Sequence, residues 1–197
     1  MPDTIQRVCV FCGSSAGARP VYRDAARQVG QLLAGRGIEV VYGGGHVGLM
    51  GVVADSALEY GGRVIGVIPE ALAAKEVAHL GLSELHVVGS MHERKALMAE
   101  LSDAFLAMPG GFGTFEELCE VLTWSQLGLH EKACGVLNVE GYYDPLLALF
   151  DHAMNECFLR PVHRDILIAD SDAGRLIEKL ATYRSPHVEK WITPDET

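Results

Sequence analysis

Continuous apolar runs and helically spaced apolar positions alternate along almost the whole chain. Val8-Cys9-Val10-Phe11-Cys12, Ile38-Glu39-Val40-Val41-Tyr42 and residues 63–68, 85–88, 103–108, 133–138 and 166–169 read as short strands. Between them, residues 20–35, 48–60, 91–102, 145–157 and 173–183 read as helices. Another helix starts near Thr114, on a stripe of Leu118, Val121, Leu122, Ser125 and Leu129. Most of the strands lack polar alternation, as in a parallel sheet covered on both faces. The expectation is an α/β fold: a doubly wound, mostly parallel sheet of about seven strands with helices on both faces. No repeat, low-complexity segment or linker interrupts the pattern, so residues 1–197 read as a single domain. Its core covers about residues 7–183, and a polar, loose tail follows from Arg184.

Sheets of this kind bind ligands beyond the carboxyl ends of their strands. Three small-residue turns fall at that edge, after the first, second and fifth strands: Gly13-Ser14-Ser15, Gly43-Gly44-Gly45 and Gly110-Gly111-Phe112-Gly113. The last is the most informative. Gly110, Gly111 and Gly113 let a ligand reach the backbone, and the helix beginning at Thr114 presents free N–H groups and a dipole that favour an anion. Glu116 and Glu117 are expected in the first turn of that helix, close enough to act on whatever a bound phosphate carries. Residues 43–48 also match G-x-G-x-x-G, which allows a dinucleotide reading. That motif belongs after a first strand, and the nearest ribose-binding acid, Glu70, lies beyond its expected place. A phosphate cradle needs only the glycines.

Charge narrows the partners. The net charge of -10 disfavours nucleic acid and anionic membranes, while a small anion needs only a local positive field. The N-terminus has no signal-peptide core and no apolar run reaches membrane-spanning length. The five cysteines, odd in number and set mostly in apolar stretches, suit a reducing cytoplasm. Cys9 and Cys12 form C-x-x-C, but on a strand they point to opposite faces and read as core thiols.

Two cations, Arg94 and Lys95, open the helix of residues 91–102, where the dipole disfavours them. A bound anion or pairing with Glu93 would offset this; a solvated helix start is the plain alternative. Arg94 has the planar fork for phosphate or carboxylate. On the helix after the central turn, Glu116, Glu120 and Thr123 lie opposite the apolar stripe, with Glu117 on the flank. A functional Thr123 would need covering by another surface, most economically a second subunit. No nucleophile motif, HExxH or metal-ligand cluster is present, so no metal or cofactor is expected. Carboxylate, arginine and phosphate cradle together suit N-glycosidic cleavage, where a carboxylate stabilises an oxocarbenium-like centre and orients water. A non-catalytic nucleotide carrier on the same fold is the alternative.

Pro109-Gly110-Gly111-Phe112-Gly113-Thr114-Phe115-Glu116-Glu117 resembles the PGGxGTxxE signature of the LONELY GUY family. Met91-His92-Glu93-Arg94-Lys95, residues 8–15 and residues 123–128 also resemble family segments, in order, within residues 7–183. The resemblance implies a Rossmann-like homodimer with a site near the interface. It implies a cytokinin riboside 5′-monophosphate phosphoribohydrolase, which releases an adenine-type base and ribose 5-phosphate; many members also cleave AMP. By position, Arg94 and Glu117 match the catalytic pair, and Lys95 with Gly111, Phe112, Gly113, Thr114, Phe115 and Glu116 match the substrate-binding run. Glu76 and Thr123 match two further contacts. Gly13, Ser14, Gly44, Gly45 and Gly110 complete the expected phosphate-binding set. Members are often labelled lysine decarboxylases, but none of the five lysines sits in a recognisable Schiff-base setting.

Overall fold

The structure is a computed structural model and describes residues 5–73 and 78–186. The strands are β1 (Arg7–Phe11), β2 (Glu39–Tyr42), β3 (Val64–Pro69), β4 (Glu84–Val88), β5 (Ala104–Ala107), β6 (Ala133–Leu137) and β7 (Leu167–Asp170). The helices are α1 (Pro20–Gly35), α2 (Gly48–Glu59), α3 (Glu70–Ala73), α4 (Met91–Leu101), α5 (Phe112–Gln126), α6 (Asp144–Asn155), α7 (Pro161–Arg164) and α8 (Ala173–Thr182). A single 3₁₀ turn, Val139–Gly141, precedes α6. All the long expected elements are present. The short α3, α7 and 3₁₀ turn were not expected, because four residues or fewer carry too little periodicity to read.

The strands form one sheet in the order β4-β3-β2-β1-β5-β6-β7, and every pairing is parallel. The chain winds outward from β1 to β4, then returns to place β5 on the other side of β1. The direction of winding reverses between β1 and β5, which opens a crevice at their carboxyl ends. The turns after those two strands begin at Cys12 and Met108.

Two apolar layers cover the sheet. One face buries Val8, Val10, Val40 and Tyr42 under α1, α2 and α8, through residues such as Leu33, Val53 and Leu176. The other buries Cys9, Phe11, Val41 and Phe105 under α4 and α5, through Met98, Leu118 and Val121. Cys9 and Cys12 therefore do lie on opposite faces, and burial pushes both thiols well up from their ordinary range. Each fully buried side chain such as Leu118 contributes about 1.5–3 kcal/mol of hydrophobic stabilisation. These contacts set the rotation of α5 about its axis.

The start and rotation of α5 correct three expectations. The helix begins at Phe112 with Gly111 as its N-cap, not near Thr114, so Glu116 and Glu117 lie in its second turn. Its buried residues are Thr114, Glu117, Leu118 and Val121, spaced i, i+3, i+4, i+7. Glu117 thus faces inward rather than lying on the flank. Leu129 falls outside the buried stripe. The helix ends at Gln126, Gly128 takes a left-handed φ of 75° in a Schellman cap, and Leu129 stands 70% exposed.

Candidate active site

Gly13 ties the expected turns together. Its N–H donates to the Pro109 carbonyl at 3.1 Å, and its own carbonyl accepts the Leu49 N–H at the start of α2 at 3.0 Å. A Cβ on Gly13 would sit 3.2 Å from the Gly110 Cα, and one on Gly48 would collide with the Ser14 backbone at 2.3 Å. Close backbone approach, not ligand alone, therefore requires glycine here. Ser14 is exposed at the rim. Between the two turns lies a cavity of ≈ 290 Å³ bordered by Ser14, Gly110, Gly111, Tyr22 and Tyr142.

The start of α5 forms one edge of this cavity. No side chain caps it. Gly111, Phe112 and Gly113 are exposed, and the space above Gly111 and Gly113 is open. An uncapped helix N-terminus in that setting offers free N–H groups and the positive end of a dipole, which suit an anion. Gly110 is different: a Cβ there would lie 2.1 Å from the Thr114 Oγ1, which is buried against it. Phe115 turns back onto the rings of Tyr142 and Tyr143.

One turn further along, Glu117 meets Arg94. Ser90 caps α4, its hydroxyl accepting the Glu93 N–H at 3.1 Å, while the Glu93 carboxylate accepts the Gly89 N–H at 2.8 Å. Glu93 is thereby occupied as a cap and is not the partner of the two cations. Nor are those cations solvated. Arg94 and Lys95 are both 9% exposed. Arg94 Nε donates to the Val67 carbonyl at 3.2 Å, and Nη1 stands 3.5 Å from the Glu117 carboxylate, an ion pair rather than a hydrogen bond. Lys95 Nζ donates to Glu116 and, at 3.0 Å, to Glu120. The acids of α5 thus supply the compensation that an anion or Glu93 was expected to give.

Burial, the largest influence, pushes the Glu117 carboxyl up to about 7; Arg94 pulls it down and Glu116 pushes it up. Burial opposes the charge on Lys95, but its bonds to Glu116 and Glu120 raise its pKa. The result is one carboxyl poised near neutrality beside a fixed guanidinium, next to an uncapped helix start. That combination is the usual mark of a working acid–base group. Lys95 links α4 to α5 through its bonds to Glu116 and Glu120. Lys95→Met should lower stability by about 1–2 kcal/mol in a denaturant titration, because it strands two partly exposed acids. Unchanged stability would show the ion pairs to be idle.

The triple-glycine turn has a specific role that spacing did not reveal. A Cβ on Gly43 would lie 1.8 Å from Arg94 Nη2, so the guanidinium occupies the place of a side chain at 43. Gly44, at φ 72°, packs beneath Ile68 and Leu85, and Gly45 is buried and bridged to Ala78. The glycines match a motif because backbone and guanidinium crowd there, and the dinucleotide reading is not needed to explain them.

Two expected residues remain, Glu76 and Thr123. Glu76 lies outside the described residues; the chain returns at Ala78 beside Gly45, with His79 donating to the Gly44 carbonyl at 2.8 Å. Thr123 is exposed, donates to the Cys119 carbonyl at 2.7 Å and borders a separate cavity of ≈ 260 Å³ with Leu122 and Phe158. The sequence placed Gly43 in a candidate turn without its contact to Arg94, and gave no role to Tyr22, Tyr142 and Tyr143. The Tyr142-Tyr143 pair just after a strand was the available signal.

A family model described as possible lysine decarboxylase matches residues 50–180. A protein of Oryza sativa subsp. japonica, named probable cytokinin riboside 5′-monophosphate phosphoribohydrolase, is 55% identical over 183 residues, covering 93% of this chain and 82% of its own. An Arabidopsis thaliana protein named cytokinin riboside 5′-monophosphate phosphoribohydrolase is 50% identical over 182 residues, covering 92% and 85%. Among solved structures, a molybdenum cofactor binding protein from Rippkaea orientalis matches with a TM-score of 0.66 at 23% identity, over 87% of this chain and 93% of that one. That likeness is one of fold alone. The curated relatives are 50–55% identical over 92–93% of the chain, more than twice the identity of that structure, and on that ground the chain belongs to the cytokinin riboside 5′-monophosphate phosphoribohydrolase family, the LONELY GUY family.

Proposed function

We propose that this protein hydrolyses the N-glycosidic bond of adenosine-type 5′-monophosphates, N6-modified cytokinin ribotides and AMP among them, giving free base and ribose 5-phosphate. The observation that carries this reading is the buried Glu117–Arg94 pair one turn below an uncapped helix start. A protein that only held a nucleotide would need the helix start but not a carboxyl set near neutrality beside it.

In this reading the 5′-phosphate docks on the N–H groups of Gly111, Phe112 and Gly113 and so fixes the ribose. The C1′–N bond breaks with its electron pair leaving on the base. Glu117, ionised, stabilises the positive charge that builds on C1′ and orients a water; the water oxygen bonds to C1′, one of its protons passes to the Glu117 carboxylate, and the departing base takes up a proton from solvent, the carboxylate being restored when it releases its own. Arg94 holds substrate or leaving base by hydrogen bonds from its guanidinium. Lysine-based decarboxylation draws no support from the described lysines. Lys95 is ion-paired, Lys132 donates to the Ala99 carbonyl at 2.7 Å and Lys179 pairs with Asp170 at 2.8 Å.

The working unit in this proposal is a homodimer. Thr123, Phe112, Met91 and Leu127 are exposed on or beside the two helices that carry the catalytic pair, and a second copy laid there would cover them. Among the described residues no helix is long and apolar enough to cross a membrane. The five free cysteines, three of them buried, support a reducing, cytoplasmic setting.

Product analysis tests the proposal. Incubation with AMP and, separately, with isopentenyladenosine 5′-monophosphate should release free base and ribose 5-phosphate, and the ratio of rates gives the base preference. Tight nucleotide binding without base release from either would replace the enzyme by a carrier.

A further inference from the structure

We infer that Tyr142 is a positioning residue that aims the phosphate-docking amide of Gly111, an inference that rests on the docking reading above. The hydroxyl of Tyr142 donates to the Gly110 carbonyl. The peptide joining Gly110 to Gly111 is flat and trans, so its N–H points opposite to its C=O. Holding that carbonyl therefore turns the Gly111 N–H away from Tyr142. Nothing packs above Gly111, whose own carbonyl accepts the Phe115 N–H at 3.1 Å; the Tyr142 hydroxyl adds the restraint on the carbonyl of the peptide that carries the Gly111 N–H. A freely turning amide would cost binding energy each time it was ordered on a ligand.

Tyr142 itself is held on three sides. Its ring lies edge to face with Tyr22 of α1 at 5.7 Å and with Tyr143 at 5.2 Å, and stacks on Phe115 of α5 at 6.5 Å. Its backbone follows the 3₁₀ turn in which Glu140 takes a left-handed φ of 51°. Asn138, at the end of β6, accepts the Tyr143 N–H at 2.7 Å and donates to Asp144 at 2.7 Å, which fixes the approach of the loop. The hydroxyl is thus delivered to the turn from β6, the strand next to β5.

Tyr143 makes a superficially equal bond, donating to the Met108 carbonyl at 2.6 Å, and is fully buried. The residue after Met108 is Pro109, which has no N–H to aim. The two tyrosines therefore separate a functional from a structural role: the Tyr142 bond orients a ligand amide, and the Tyr143 bond only satisfies a buried carbonyl.

The test compares Tyr142→Phe and Tyr143→Phe in the full chain. Calorimetry measures the Kd of ribose 5-phosphate, with adenosine as the phosphate-free probe, and kinetics gives kcat and KM for AMP. Tyr142→Phe should raise the ribose 5-phosphate Kd and the AMP KM by a common factor of about 5–10, the scale of one neutral hydrogen bond, while adenosine binding stays within twofold. Tyr143→Phe should lower Tm and leave the ribose 5-phosphate Kd within twofold. An unchanged Kd in Tyr142→Phe overturns the inference, as does equal weakening of adenosine, which would mark a general collapse of the cavity. Wild-type protein that cleaves AMP but binds ribose 5-phosphate no better than ribose overturns the docking role and this inference with it. Wild-type protein that binds ribose 5-phosphate and shows the Tyr142 effect without cleaving AMP leaves the inference standing and overturns only the hydrolase reading.

Discussion

Glu117→Gln is expected to lower kcat on AMP by about 10²- to 10⁴-fold, with AMP binding changed far less. The amide keeps the shape and the burial of the carboxyl but cannot carry the negative charge that an oxocarbenium-like centre requires. The wild-type pH profile should show the same group. With the carboxyl raised to about 7, the ionised form builds up only as pH approaches neutrality, so kcat/KM should climb through an apparent pKa near 7. In Glu117→Gln the residual rate should lack that limb. The linkage to stability has the opposite sense. Between the ordinary value of 4.5 and about 7 the folded state binds more protons at Glu117 than the unfolded chain does. Stability therefore falls as pH rises across that window, by on the order of 3 kcal/mol from this group, and levels off above it. Glu117→Gln should flatten that slope. A variant that retains near-normal turnover, or that keeps the limb at 7, would remove Glu117 from the chemistry.

The second large effect is expected from a residue with no functional group. Gly43→Ala should lower kcat/KM by about 10²-fold or more, with a stability loss of only about 1–3 kcal/mol. The new methyl would lie 1.8 Å from Arg94 Nη2 and 3.0 Å from Cζ, so the guanidinium must leave its place. It cannot leave without loosening its bond to the Val67 carbonyl and its 3.5 Å pairing with Glu117. Gly43 has no left-handed φ, so the backbone tolerates alanine and the effect is steric. Losing the guanidinium removes the main influence that pulls the Glu117 carboxyl down, so the activity limb should move to higher pH. Local misfolding alone would not shift it. Activity within threefold of wild type, with the limb in place, would show that Arg94 acts from some other position.

The order of strands and helices was legible because it depends on short-range pattern. Seven apolar runs and six helical stretches can be read in windows of a few residues, and burial on both faces leaves those runs without polar alternation. The glycine turns were legible for a related reason, since close contacts such as Gly48 on the Ser14 backbone and Gly110 on Thr114 leave no room for a side chain. The position of Arg94 and Glu117 as a pair came through the resemblance of two motifs, not through spacing. Nothing local says that residues 94 and 117 meet.

What the fold alone settles is which way α5 turns. Its buried stripe starts at Thr114 and includes Glu117, two polar residues at apolar positions, so a count of apolar side chains starts the stripe one turn late at Leu118 and leaves Glu117 on the flank. The polar members are tolerated inside because partners arrive from elsewhere: Gly110 against Thr114, and Arg94 from α4 against Glu117. In the same way the roles of Gly43, Lys95 and Tyr142 are set by contacts across the sheet, at separations of 51, 21 and 32 residues, beyond the reach of any periodicity. Local order here follows from backbone geometry and apolar spacing; the chemistry follows from long-range packing that removes water around one carboxyl and holds one cation beside it.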